Sequence, residues 1–504
     1  MRTALAAAGT IGLAAASLAW GQAAHHDGDA LGTVHFPTSC SASARQAFDR
    51  GLALLHHMTY PQARESFQRA AALDANCAMA HWGIAMTLFQ PLWPTRPGPD
   101  ARQRGWDELQ TAARLAPPTE RERRYIATAQ AFFAEPRGED YWLRIRRWEQ
   151  ASAALHDALP DDDEAAAFYA LAHLATVPPN VISRANADES ASILLRVYEA
   201  NPEHPGAMHY LVHANDVPGR ERELLEITRK YESLAPRNPH ALHMPTHIYT
   251  RLGDWDGVIR GNLLAASSAL EHPAGENGEY VWDEFPHAIE YLVYAYLQKG
   301  EQDAARAQLD RLLATERLEP SFKTAFHISS TQARYALERQ DWEAAVNIPL
   351  RQPRSLEWDR FPWPEAIAVF ARGLGAARLG RQADARSASL RLTTLETTAA
   401  RAGEELFARN IRVLRLEVDA WIEQLEGRPD AAVLRMREAA ELEASTPKHA
   451  VTPAPTLPAN ELLGDLWMTQ GQPARALEAY RLSLELYPNR LNSLQGMSRA
   501  QRDP

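Results

Sequence analysis

His204-Pro205-Gly206-Ala207-Met208-His209-Tyr210-Leu211-Val212-His213 and Asn238-Pro239-His240-Ala241-Leu242-His243-Met244-Pro245-Thr246-His247 follow one pattern. In each stretch two histidines stand four residues apart, which places both on one face of a helix. His209 and His243 are 34 residues apart, as are His213 and His247, and Pro205 and Pro239 keep the same offset. A fixed period of this length means stacked copies of one supersecondary unit. Four imidazoles then come from matching positions of two neighbouring helices.

Outward from these stretches the period persists. Residues 44–58 and 61–73 read as a helical pair, with Pro61 suited to a first turn. Leu463-Gly464, Gly471, Ala476, Tyr480 and Pro488 form the clearest copy, and residues 491–502 a closing helix. Weaker copies turn at Gly253, Gly300, Gln340, Gly380 and Gly427. Between about residues 91 and 202 the pattern loosens, and Trp142, Trp148, Phe168 and Tyr169 point to helical pairs of irregular length. Alternating β-branched runs bounded by hairpin turns are nearly absent. The expected class is all-α, a solenoid of stacked helical hairpins that bury a shared core.

These spacings resemble those of tetratricopeptide repeat proteins. Cys77-Ala78-Met79-Ala80-His81-Trp82-Gly83, His243-Met244-Pro245-Thr246-His247 and Pro488-Asn489-Arg490 are similar to recurring motifs of a poorly characterised exported bacterial group among them. The resemblance covers nearly the whole chain after the leader. It implies a concave groove lined by the first helix of each pair, and a scaffold that binds a protein, peptide or small ligand there. It places His209 and His243, then His213 and His247, at groove-facing positions. Glu290 and Tyr294 follow in the next repeat, with Ser330 and Arg334 after them. His287 and His327 fall near another groove-facing position, and Tyr169 and His173 precede the stripe. The candidate groove thus holds His173, His209, His213, His243, His247, His287, Glu290, Tyr294, His327 and Arg334.

Seven of 18 histidines fall on this stripe. Three readings stand: a structural hydrogen-bonded stack, a partner or ligand groove, and a transition-metal site at His209, His213, His243 and His247. Imidazole suits zinc, copper or iron. Asp216, Glu290 and Asp283 are candidate carboxylates. The His-x3-His pairs lack the glutamate of a zinc peptidase helix. His56-His57 reads as a helix C-terminal charge, and Asp161 to Glu164 as an N-terminal cap. Ala24-His25-His26 offers a further copper or nickel motif if the chain is cleaved after Ala23.

Lys+Arg 53 against Asp+Glu 64 leaves −11, which argues against nucleic-acid partners. Residues 1–23 read as a secretory signal peptide and 24–40 as a flexible leader. Residues 41–90 are an N-terminal repeat region and 91–202 the irregular helices. Residues 203–450 form the histidine-bearing array, and 451–504 a C-terminal repeat and capping helix beyond a proline-rich boundary. No stretch of the mature chain is long and apolar enough for a membrane span. Export to the periplasm or beyond, with two cysteines, predicts a Cys40–Cys77 disulfide.

Overall fold

A computed structural model describes residues 30–502 apart from 94, 95, 136, 139 and 276. The signal peptide and the Ala24-His25-His26 motif lie outside the described residues. The rest is an all-α solenoid of helical hairpins, with one two-stranded antiparallel ribbon, Pro273–Ala274 and Tyr280–Val281.

The stacking rule is visible at both ends. In the first repeat, the Phe67 ring wedges between Gly51 and Gly83, where an added Cβ would meet it at 2.9 and 2.4 Å. In the last repeat, the Tyr480 ring sits the same way between Gly464 and Gly496, at 2.5 and 2.4 Å. The offsets in both triplets are 16 residues. A ring on each second helix can approach its neighbours only where a first helix has no side chain. This pins the helices together and sets the pitch of the stack. The turns expected at Gly253, Gly300, Gly380 and Gly427 have positive φ, and Gln340 adopts the same left-handed geometry with φ 54°.

The irregular segment consists of helices Pro99–Arg114, Glu120–Phe133, Tyr141–Ala158, Asp163–Ala175 and Arg184–Ala200. Its aromatic residues Phe132, Phe133, Trp148 and Phe168 join Phe48, Phe67 and Trp82 in one buried cluster. Cys40 and Cys77 form a disulfide.

Two expectations about connecting segments are corrected. Residues 30–40 of the leader are held in place. Phe36 is buried against Phe48, Trp82 and Tyr125, the Leu31 carbonyl meets His57, and the Thr33 amide donates to the Glu203 carbonyl. The proline-rich stretch 451–458 is no boundary between separate bodies. It is a largely buried strap that runs back against the histidine-bearing helices. Its backbone carbonyls at Ala454 and Pro455 and the Thr452 hydroxyl are all taken up by Arg334. A proline-rich segment has few amide hydrogens to satisfy, so one arginine fork meets much of its polar demand. The C-terminal repeat then docks on the central array: Asn489 bonds to Gly253 and Trp255, and Arg490 reaches Tyr294.

Candidate functional site

The two quoted stretches form helix Pro205–Asn215 and the pair Pro239–His243 and Pro245–Leu252. Pro245 has no amide hydrogen to give, so the second copy is split at Met244. His204 and Asn238, equivalent positions of the repeat, each cap their helix by accepting the amide three residues on.

The four histidines expected to share one metal do not meet at one point. They divide between two neighbouring clusters. A ring nitrogen from each of His209, His213 and His240 lies within 4.8 Å of the others, and the same holds for His243, His247 and His287. The reason is side-chain direction. His209 and His213 lean toward the copy that follows, and His240, one turn before His243, meets them; His243 and His247 lean onward to His287 on helix Glu284–Gln298.

In the first cluster the hydrogen bonds settle which nitrogen carries the proton. His209 Nδ1 faces the His56 carbonyl at 2.6 Å, and a carbonyl can only accept. His240 Nδ1 faces Glu284 Oε2 at 3.3 Å. Burial opposes ionisation of Glu284, but the Lys323 ammonium against it outweighs this and holds it well below its ordinary pKa. Both rings therefore keep hydrogen on Nδ1 and a lone pair on Nε2. The Nε2 atoms of His209, His213 and His240 are all buried without a hydrogen-bond partner. With lone pairs on Nε2 of His209 and His240, two acceptors converge on the unpartnered Nε2 of His213, an arrangement that leaves buried polar atoms unsatisfied. Burial and the neighbouring imidazoles push the pKa of His209 well below its usual value and that of His213 down to about 3, so a proton is a poor filler.

The second cluster has the same outer ring of acceptors. His243 Nδ1 lies 2.7 Å from Asn262 Oδ1, and Asn262 Nδ2 donates to the Val258 carbonyl, which fixes the amide. His247 Nδ1 is 3.2 Å from Asp216 Oδ2, while Lys448 Nζ lies 3.1 Å from that oxygen and Arg251 takes the other. His287 Nδ1 meets His327 Nε2 at 2.9 Å.

A third cluster, His56, Glu164 and His204, looks similar but differs chemically. His204 Nδ1 accepts the Ala207 amide, so its hydrogen is on Nε2, 3.4 Å from Glu164. His56 Nε2 lies 2.7 Å from Glu164, and its Nδ1 meets the Tyr210 hydroxyl at 3.0 Å. His56 is partnered on both nitrogens, while His204 Nε2 and Glu164 Oε1 make no hydrogen bond. A ring hydrogen and a carboxylate face each other there, so donor and acceptor are already complementary and the cluster reads as structural. His56 is buried, and burial lowers its pKa, which corrects its reading as a charged helix end. Asp162 is the cap expected within Asp161 to Glu164, with Glu164 buried in the first turn.

The remaining predicted residues take other roles. Glu290 accepts from His327, Ser330 and Arg334. Arg334 holds the strap and Tyr294 meets Arg490, so neither lines an open groove. His173 stands apart, between Glu149 and Glu189. Asp283 pairs with Lys323 at 3.0 Å. A cavity of about 430 Å³ borders the first cluster at His213, with Asp216, Arg251, Lys448, His449 and Trp363 on its walls.

His240, Glu284, Asn262 and Lys448 were not foreseen. His240 lay in the quoted stretch, but its repeat equivalent is Gly206, so the echo hid it. The glycine is required because the His56 ring occupies that space: an added Cβ would stand 2.4 Å from His56 Nδ1.

No family model and no curated protein matches this chain. Among solved structures it is similar to the Cut9–Hcn1 hetero-tetramer of the APC/C, with TM-score 0.38 and 12% identity over 91% of this chain and 76% of that one. Yeast Tom70 gives TM-score 0.32 and 9% identity over 92% and 88%. The TPR domain of P58(IPK) gives TM-score 0.21 and 13% identity over 92% and 98%. Likeness at this level says nothing about partners or activity.

Proposed function

We propose that this protein binds a transition metal ion through His209, His213 and His240, in the core of a helical-repeat scaffold. One observation carries the reading: three mutually close Nε2 atoms are buried without partners, and two of the rings have their Nδ1 hydrogens committed to acceptors. Ligating histidines usually donate their other N–H to a carbonyl or carboxylate in this way. Imidazole-to-metal bonds are about 2.0–2.1 Å, so nitrogens on one ion stand no more than about 4.2 Å apart. The observed limit of 4.8 Å needs only small side-chain movement. Three nitrogens and a cavity at His213 leave a coordination position for water or a small ligand. An all-imidazole set suits zinc, copper or iron.

The partner-groove reading is weaker along the stripe itself, because the strap and the C-terminal repeat cover Arg334 and Tyr294. Small-ligand binding in the His213 cavity is compatible with the metal. The disulfide agrees with an oxidising compartment, and so with export.

The test is elemental analysis of untagged protein carrying His25→Ala and His26→Ala, which removes the leader motif. Bound metal of at least one ion per chain is expected. One ion per chain should be lost in His209→Ala/His213→Ala with helical content unchanged. Absence of any bound zinc, copper, iron or cobalt after equilibration at pH 7.5 overturns the reading.

A further inference from the structure

We infer that His243, His247 and His287 hold a second metal ion beside the first, with His327 and Glu290 acting as positioning residues that set the tautomer of His287. The inference rests on the reading of the first cluster as a metal site but is carried by different contacts.

The argument begins at Arg334, whose Nε donates to Glu290 Oε1 at 2.8 Å. Ser330 donates to the same oxygen at 2.6 Å. The other oxygen, Oε2, lies 2.6 Å from His327 Nδ1. A carboxylate has no hydrogen to give, so His327 carries its hydrogen on Nδ1 and a lone pair on Nε2. That lone pair faces His287 Nδ1 at 2.9 Å, so His287 must donate there. His287 is left with a lone pair on Nε2. The orientation is passed along a chain of four buried side chains, each with one permitted choice.

His243 reaches the same state by another route. Asn262, locked by its bond to Val258, presents only an acceptor, so the His243 hydrogen is on Nδ1 and the lone pair on Nε2. His247 Nδ1 is nearest the Asp216 carboxylate at 3.2 Å; the Tyr291 hydroxyl and Lys448 Nζ are further off at 3.4 Å. Donation to Asp216 leaves a third lone pair. The Nε2 atoms of His243 and His247 are 3.0 Å apart. With the His247 hydrogen on Nδ1, two lone pairs face each other at a spacing two ligands of one ion can adopt, whereas a hydrogen on His247 Nε2 would join the two rings directly. Nitrogens of His243, His247 and His287 share one small volume, and His243, His287 and their acceptors are almost wholly buried. Helix Pro239–His243 supplies His240 to the first cluster and His243 to the second, so the two ions would be neighbours across one helical turn.

The experiment counts cobalt per chain by elemental analysis after anaerobic loading and desalting, in the His25→Ala/His26→Ala background. Two ions per chain are expected. His247→Ala and His287→Ala should each leave one, and His213→Ala should leave one, with the double His213→Ala/His287→Ala at zero. His327→Phe, which cannot accept from His287, should weaken the second ion at least tenfold in a chelator competition and leave the first unchanged. A merely structural His327 would weaken both or neither. One ion in the unsubstituted background, unaffected by His287→Ala, overturns the second site and leaves the first intact. One ion lost equally in His213→Ala and His287→Ala means a single shared ion and also overturns it. No ion at all removes both readings. The background count decides between one and two even where a variant fails to fold.

Discussion

The surroundings of Arg490 and those of His209 are equally deep, yet they treat buried polar groups in opposite ways. Arg490 is fully buried and nearly every donor is matched. Its Nε and Nη2 bind both oxygens of Glu461 at 3.0 and 2.8 Å, Nη2 also reaches Glu338 at 2.9 Å, and Nη1 meets Tyr294 at 3.1 Å. Around His209 the outer nitrogens are matched and the inner ones are not. Nearly complete pairing joins the C-terminal repeat to the central array. Pairing that stops at the inner edge leaves three converging nitrogens without partners. On the proposed reading, the difference separates a polar network that holds a fold together from one that takes a metal.

The largest test of this contrast removes one member from each region. Arg490→Leu strands Glu338 and Glu461 in the core and should cost about 3–5 kcal/mol in denaturant unfolding. His213→Ala in metal-free protein removes a nitrogen that has no partner and should cost under about 1 kcal/mol. Equal losses would erase the distinction. Next in size is the response to metal. Zinc at a hundred times its dissociation constant should stabilise the unsubstituted chain by about 2.7 kcal/mol. In a His287→Ala background, which leaves the first cluster alone, that gain should vanish when His209→Ala/His213→Ala is added, as read from paired denaturant curves.

How much of this could be read in advance follows from what repeats and what does not. The Gly–aromatic–Gly spacing of Gly464, Tyr480 and Gly496 is a local packing rule written at fixed offsets, so the solenoid was legible. The histidine pairs were legible for the same reason. Their grouping was not, because it depends on which way each ring leans between helices, and on His240, which stands where the earlier copy has Gly206. The strap was misread as a boundary: proline-rich composition marks irregular backbone, and nothing in it announces that Arg334, over a hundred residues earlier, will collect its carbonyls. The leader was misread likewise, since the anchoring of Phe36 depends on Trp82 and Tyr125 from two other helices.

Acidity acts on the two regions with opposite sign. Burial lowers His57 and His449 to about 3, against an ordinary value of 6.5. Between those values the unfolded chain binds protons that the folded chain refuses. Their contribution is therefore complete above pH 6.5 and is lost as pH falls toward 3, at about 1.4 kcal/mol per pH unit for each. Glu443, beside the C-terminal repeat, is raised by burial to about 8 from 4.5. Its contribution is complete below pH 4.5 and is lost as pH rises through 8. Metal-free protein should thus lose stability on both sides of neutrality. Glu443→Gln should remove the loss between pH 6.5 and 8 and steepen the acid side between pH 4.5 and 6.5, measured as unfolding midpoints from pH 4 to pH 9.

The smallest expected effect probes a place where the C-terminal region breaks its own rule. Both carboxylate oxygens of Glu417 are buried without a partner, and burial together with nearby Glu443 pushes its pKa well above the usual range. A neutral, unpaired carboxyl in a core costs more than an apolar side chain of similar size. Glu417→Met should accordingly stabilise the protein by about 1 kcal/mol, with the metal count unchanged. His240 also has a buried unpaired atom, but His240→Met should abolish metal binding at the first cluster. If Glu417→Met instead destabilised the chain, its lone carboxyl would have an unrecognised partner. A single unpaired atom would then be no guide to a site, and the inference at the histidines would stand on convergence alone: three nitrogens around one point, where Glu417 offers one residue.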